Sequence, residues 1–456
     1  MDYRSLPSLP HMLFAVAARK GDRPCLWAKR DKTWTALSWA EVARQVNLLA
    51  RGLQVLGVAP GDRVAIVAEN RPEWIIADHA VMAAGAISVP AYTTNTVIDH
   101  RFILTNTGAK VAIVSTAALA QKVLAAAAGT THCKTIIAIE PPPPEQNIGI
   151  SVLSWDQALA NGQSAPDNVQ EIVGRLTRRD TACIIHTSGT GGVPKGVTLT
   201  HGAILCNSLG ARDLLVTLGL EDEVFLSFLP LSHSYEHTVI SGFALSIGAQ
   251  IYFAESVEAL PRNITEVQPT IMTAVPRLYE SMHQRITANV AREGGFKEKL
   301  FNKAVALGIQ RYERPDSLTV WDKIVDAIVD RLVRSKVRAR FGGRLKAFVS
   351  GGAPLQYEIG LFFTALGVRL LQGYGQTETA PVVSCNFPHK VKLDTVGPPL
   401  TDVEVKIAED GEILVRGELI MAGYWNEPEA TAATRSARPM ARSWTRCTAN
   451  RALQRF

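Results

Sequence analysis

The chain has 456 residues, 47% of them hydrophobic, enough for an enzyme-sized body of about two to four packed subregions. Its net charge is +6, yet six of the 48 Lys and Arg residues lie after Glu429, where no acid occurs, and the other 42 equal the 42 Asp and Glu. The body is therefore neutral, which removes the suggestion of a nucleic-acid or anionic-membrane partner that the net charge would make.

The first residues lack the basic-then-apolar order of a signal peptide. No run reaches the ~18 apolar residues of a membrane span. Six cysteines (Cys25, Cys133, Cys183, Cys206, Cys385, Cys447) form no CxxC pair, which argues against a disulfide framework or zinc site and fits a reducing cytosol. From Ser38 to Leu56 the apolar spacing predicts a helix. A strand over Val64–Val67, a helix over Pro72–Ala84 and a strand over Ala86–Pro90 follow, the alternation of a parallel α/β layer. "GAKVAIVST" and "CKTIIAIE" predict two more strands around an Ala-rich helix, and "PPPPEQN" after Glu140 a stiff surface loop.

A second α/β block is expected to begin near Asp180 with "TACIIHTSG". It continues through "EVFLSFLPLSH", "AQIYFAE", "PTIMTAVP", "LKAFVSGG" and "VRLLQGYGQTE". Strands that end in Gly, Ser, His or Pro suggest a site at their C-terminal ends. Between Tyr279 and Phe341 the pattern is helical. Trp321, Ile324, Val325, Ile328, Leu332 and Val333 recur at helix spacing and predict an inward face, with Arg331, Arg334, Lys336, Arg338 and Arg340 on a solvated one. After Thr395 the period becomes two, and Val403, Val405, Ile407, Ile413 and Val415 predict a β-hairpin. The expected divisions are residues 1–175, 176–384, 385–431 and a basic tail, 432–456.

"HTSGTGGVPKG", His186 to Gly196, joins small residues, hydroxyls and a lysine directly after an apolar strand, the parts of a phosphate cradle. It matches neither GxxxxGK[ST] nor GxGxxG, and on composition alone a structural loop is an equal reading. The segment resembles the signature phosphate loop of the adenylate-forming (ANL) superfamily, with Gly191 where the family usually has a second Thr. Other blocks of that family follow in order. "SGGAPL" (Ser350 to Leu355) resembles its adenine-contacting turn. "QGYGQTE" (Gln372 to Glu378) resembles the motif with an adenine-stacking aromatic, a Thr at the α-phosphate and a metal-holding Glu. "LPLSHSYEHT" places His233 where the family has a His or aromatic beside the carboxylate; His237 reads as a core residue. "VPRLYE" and the helical stretch that follows it resemble the long-chain fatty acyl-CoA synthetase branch, and "GEILVRGELIMAGYWNEPEAT" the block near the end of the family's large domain.

The resemblance, from about residue 10 to Thr431, implies an α/β fold: an ANL large domain of two doubly wound sheet subdomains and a small β subdomain. It implies ATP, Mg²⁺, coenzyme A and a long-chain fatty acid as ligands. Thr187, Ser188, Gly189, Thr190, Gly191, Gly192 and Lys195 would hold phosphates, and Gly351, Gly352, Ala353, Pro354, Gln372, Gly373, Tyr374 and Gly375 the nucleotide. Thr377 would meet the α-phosphate, and Glu378 with Thr187 the metal. Lys195, His233, Thr377 and Glu378 are the implied catalytic set. The implied location is cytoplasmic, with peripheral contact at the inner face of the membrane allowed. After Thr431 the family's GWxxTGD element, hinge and C-terminal α+β domain with its lysine find no match. A frameshift is the expected explanation, ahead of a basic arm or a disordered end of no consequence, and with it binding of ATP and fatty acid but inefficient ligation. An acyl-AMP ligase serving a carrier protein and a non-catalytic binding remnant are the alternatives.

Overall fold

The computed structural model describes residues 1–141, 149–187, 194–434 and 444–447. The Pro-rich stretch read as a stiff loop lies almost wholly outside them. Among the described residues, two eight-stranded mixed sheets and one three-stranded sheet carry the fold.

The first sheet runs β18 (Gly423–Tyr424), β9 (Lys195–Thr200), β8 (Thr181–Thr187), β4 (Ile87–Pro90), β3 (Arg63–Val67), β5 (Val111–Val114), β6 (Thr135–Ala138), β7 (Ser151–Ser154). The second runs β15 (Val382–Cys385), β14 (Leu370–Gly375), β13 (Ala347–Ser350), β12 (Ile271–Ala274), β10 (Val224–Ser227), β11 (Gln250–Phe253), β1 (Pro24–Arg30), β2 (Thr33–Ser38). Strand β8, read from the sequence as opening the second block, thus joins the first sheet together with β9, which follows it. Strands β1 and β2, from the first block, edge the second sheet. A strand's own apolar pattern says that it is buried and not which neighbour it pairs with, so sheet membership crosses residue 175 in both directions.

Local rules explain the elements themselves. Ser38 caps the helix Trp39–Val55, its side chain accepting from Glu41 N. Asp31 and Lys32, both at positive φ, make the tight turn between β1 and β2. The helix Pro72–Ala83 is buried at every position, because it lies between the layers. A helix covered all round has to match its polar groups inside, and Asp78 does so through one of its two oxygens. Asp78 Oδ2 accepts from His237 Nε2 at 3.1 Å and from Ser241 Oγ at 2.7 Å. Burial opposes ionisation of Asp78, but the charge and hydrogen bond of His237 outweigh it and hold the carboxyl well below the usual range.

The helical stretch departs from the expectation. Its helices are Pro276–Glu293, Gly295–Glu313 and Val320–Val329, the last continued by a π-turn, Asp330–Arg334, and a helix, Ser335–Arg340. Val329 and Val333 pack inward, whereas Trp321, Ile324, Ile328 and Leu332 point out, Trp321 being 70% exposed. Helical spacing marks a face without saying what it meets. Arg334, expected on a solvated face, is fully buried. It donates to Ala365 O and Ala304 O, each at 2.7 Å, and to Asp326 Oδ1 at 2.6 Å, tying three helices together.

The third sheet is the expected hairpin, β16 (Glu404–Ile407) and β17 (Ile413–Arg416), plus β19 (Thr445–Cys447) from the tail. Thr445 is buried against it, and the Arg416 guanidinium lies 4.8 Å above the Trp444 ring. The described part of the tail is therefore folded onto the small β subdomain.

Removing Arg334 leaves the buried Asp326 with only the partly exposed Arg311 as a charge partner. Arg334→Met is expected to cost about 3 kcal/mol in urea unfolding, while Arg331→Met, on the exposed side of the same helix, changes stability by less than about 0.5 kcal/mol.

Candidate active site

The β8–β9 register sets Thr187 opposite Lys195, so these residues flank the small-residue loop at one end of the pair. Ser188, Gly189, Thr190, Gly191 and Gly192 lie outside the described residues. Lys195 Nζ stands 5.0 Å from the centre of the Tyr424 ring, and the Tyr424 hydroxyl donates to Glu378 Oε1 at 2.8 Å. One aromatic side chain therefore links the cation to the carboxylate, residues 183 positions apart in sequence.

Three pieces of chain hold that link. Strand β18 pairs with β9, Tyr424 opposite Val197, and Trp425 N donates to Gly196 O at 2.7 Å. Gly196 is required there: a Cβ would sit 2.9 Å from Ile184 Cγ2 and 3.2 Å from Trp425 Cβ. Met421 N donates to Glu378 O at 2.9 Å. Beneath Glu378, on the 3₁₀ turn Thr377–Thr379, the buried Asn207 of the helix His201–Leu215 donates to Thr379 O at 3.2 Å and Val382 O at 2.9 Å, and accepts from Val382 N at 3.1 Å.

The segment 233–237 leaves the end of β10 and packs against the same turn. Ser234 Oγ lies 3.0 Å from Thr377 Oγ1, both buried, so the structure brings Thr377 to the residue beside His233. The His233 ring is open to solvent yet crowded, and desolvation by its neighbours lowers its pKa. Its Nδ1 accepts from Tyr235 N at 3.1 Å, which leaves Nε2 to carry the proton of the neutral ring. His237 is fully buried on Asp78. Glu236, also fully buried, accepts from Ser227 Oγ at 2.7 Å and Thr273 Oγ1 at 2.6 Å, at the ends of β10 and β12. Burial outweighs these bonds and pushes its carboxyl up to about 7.

The other expected nucleotide contacts divide. Gly352, Ala353 and Pro354 form an exposed rim after β13, and Gly351 packs on the Tyr235 ring. Gln372 is buried and its amide is spent locally, accepting from Leu355 N at 2.9 Å and donating to Thr395 O at 3.1 Å. Gly373 and Gly375 are needed because β15 crosses closely: a Cβ on Gly373 would lie 2.9 Å from Ser384 O, and one on Gly375 would overlap the Pro381 carbonyl. Tyr374, expected to offer a ring face to adenine, is 8% exposed and packs among Cys206, Val383, Val396, Ile413 and Leu419. The alternation of β14 turns it toward the small β subdomain and away from the open side. Sequence reading missed Tyr424, Asn207 and Glu236, whose roles exist only through partners distant in the chain.

The chain belongs to the AMP-binding enzyme family, which it matches over residues 13–425. It is 34% identical over 406 residues to the long-chain-fatty-acid–CoA ligase FadD15 of Mycobacterium tuberculosis, covering 88% of this chain and 66% of that protein. To the peroxisomal long chain acyl-CoA synthetase 6 of Arabidopsis thaliana it is 31% identical over 422 residues, covering 87% and 57%. It thus spans less than two thirds of the length of these relatives. In fold it matches the N-terminal domain of FACL13 from M. tuberculosis (TM-score 0.70, 20% identity, 96% of this chain and 95% of that one). It also matches a long-chain-fatty-acid–CoA ligase, FadD1, from Archaeoglobus fulgidus (TM-score 0.72, 21% identity, 97% and 81%). The expected ANL fold is the observed one.

Glu236 supplies a test of the site's electrostatics. The folded state holds its proton more tightly than the unfolded chain, whose carboxyl titrates near 4.5. Its contribution to stability is therefore complete below that pH and lost as the pH rises to about 7. Glu236→Gln should gain on the parent by on the order of 3 kcal/mol between pH 4.5 and 7.5 in urea unfolding; a constant difference across that range would contradict the assignment.

Proposed function

We propose that the site activates a long-chain fatty carboxylate with ATP and passes the acyl group to the thiol of coenzyme A. A carboxylate oxygen attacks the α-phosphorus, the bond to the β-phosphate breaks and pyrophosphate leaves. The thiolate sulfur then attacks the acyl carbon, and AMP leaves with the electron pair of the broken C–O bond. The observation that carries the reading is the Lys195–Tyr424–Glu378 link beside Thr377, which holds a cation, a hydroxyl and a carboxylate at one junction of the two sheets.

Each residue has a defined task in that reaction. Lys195 neutralises charge on the β- and γ-phosphates, and Tyr424 fixes its height above the turn. Thr377, steadied by Ser234, donates to an α-phosphate oxygen. The His233 Nε2–H faces the open side, where the carboxylate enters. Groups held before the reaction starts stabilise developing charge without reorganising. The donor set also fits Mg²⁺, which takes one or two carboxylates together with substrate phosphates. Tyr424 occupies one oxygen of the half-buried Glu378, and among the described residues no hydrogen bond reaches the other. Glu378, with the Thr187 hydroxyl, would hold that ion, which neutralises phosphate charge when bound.

Exchange of labelled pyrophosphate into ATP tests the proposal on these 456 residues. Palmitate should support it and acetate should not. Glu378→Gln is expected to lower the rate about 100-fold. Tyr424→Phe, which keeps the ring under Lys195 and deletes only the donor to Glu378, should lower it about tenfold. Calorimetry with a non-hydrolysable palmitoyl-adenylate analogue gives a second reading where exchange is slow. Exchange indifferent to the fatty acid, or an acetyl analogue bound as tightly, would overturn the assignment.

A further inference from the structure

The segment Val320–Arg340 is nearly continuous helix, about 30 Å long at ~1.5 Å per residue. Its outer side carries Val320 (76% exposed), Trp321 (70%), Ile324 (47%), Ile328 (50%) and Leu332 (46%). Single exposed apolar residues need no explanation, but five on one helix face form a stripe. The π-turn Asp330–Arg334 lies under the far end of this stripe, and Leu332 stays exposed across it.

The charges on the helix are sorted. Each of its three acids has a partner. Asp322 caps the helix on Thr319, accepting from Thr319 Oγ1 at 2.8 Å. Asp326 pairs with Arg334 and Arg311, and Asp330 with Arg338 at 2.8 Å. The exposed charged residues of the segment are Lys323, Arg331, Lys336 and Arg340, all cationic. Lys323 and Arg331 lie three residues after Val320 and Ile328, so they share the face of the stripe. An apolar stripe with a tryptophan, bordered by Lys and Arg and cleared of free acids, matches the boundary of an anionic bilayer: apolar side chains enter below the headgroups while the cations stay at their level. A second copy of the chain is a poorer match, because a two-fold contact would set the same cationic face against itself.

We infer that the Val320–Arg340 helix docks in the plane of an anionic lipid surface. This goes beyond the proposed reaction and does not depend on it, since docking is measured without ATP or fatty acid. The test is flotation of the full chain with vesicles of phosphatidylglycerol and phosphatidylcholine in about equal parts, against pure phosphatidylcholine. The apparent affinity should be about tenfold or more higher for the anionic vesicles and should fall as salt rises. Ile324→Ser with Ile328→Ser, and separately Lys323→Glu with Arg331→Glu, should each lower it about tenfold or more. All four side chains are exposed, so circular dichroism and the melting temperature should stay unchanged; if the serine pair does not fold, the charge-reversed pair carries the test. Failure to float, equal binding to neutral vesicles, or binding that neither pair disturbs would overturn the inference. So would a dimer in sedimentation velocity that the serine pair dissociates, since the stripe would then belong to a second copy.

Discussion

The candidate site depends on the pairing of a two-residue strand, β18, with β9. This pairing returns residues 421–425 to the edge of the first sheet after the chain has completed the second. It sets the Tyr424 ring under Lys195 and its hydroxyl on Glu378. Without it Lys195 would stand on one sheet and Glu378 on a turn after the other, with no shared partner. So short a strand is not stable by itself. The Trp425 indole, donating to Asn106 O at 3.1 Å, and the Ala422 amide, donating to Thr198 O at 2.8 Å, anchor it at both ends.

Polar groups inside a core are costly unless satisfied, and here they lie where the two layers meet. Asp78 with His237 and Ser241, and Glu236 with Ser227 and Thr273, bracket the segment that carries His233 and Ser234. The first cluster has a donor for the charge it holds. The second has two hydroxyls and the Phe228 backbone amide but no charged donor, and burial raises its carboxyl to about 7. The arrangement orients the segment from its buried side and leaves the His233 ring open. Asn207 does the same for the turn under Glu378, using both ends of one amide.

Several features were legible in residue order. The capped helix after Ser38, the strands around Pro72–Ala83 and the hairpin after Thr395 follow from periods of 3.6 and 2 and from cap and turn residues, which are local properties. The family blocks were legible for the same reason, since each is a short run of residues. The outward stripe at Trp321 and the buried Arg334 were not. Period distinguishes faces, but only the presence or absence of a packed neighbour decides which is wet. Gly373 and Gly375 carried a signal of close approach, and within the fold it is the chain of β15 that comes close to them.

The sequence by itself determined the kind of elements, their order, the neutral body with its basic end, and the motifs that place Lys195, Thr377 and Glu378 in one family. The tertiary structure alone decided that β8, together with β9, leaves the block it opens, that Tyr424 joins a cation to a carboxylate 183 residues away, and that Tyr374 turns inward. The division has a physical cause. Backbone propensity and amphipathic period act over a few residues, whereas strand neighbours and side-chain partners are chosen by whichever packing of the whole chain buries the most apolar surface while leaving the fewest polar groups unmatched.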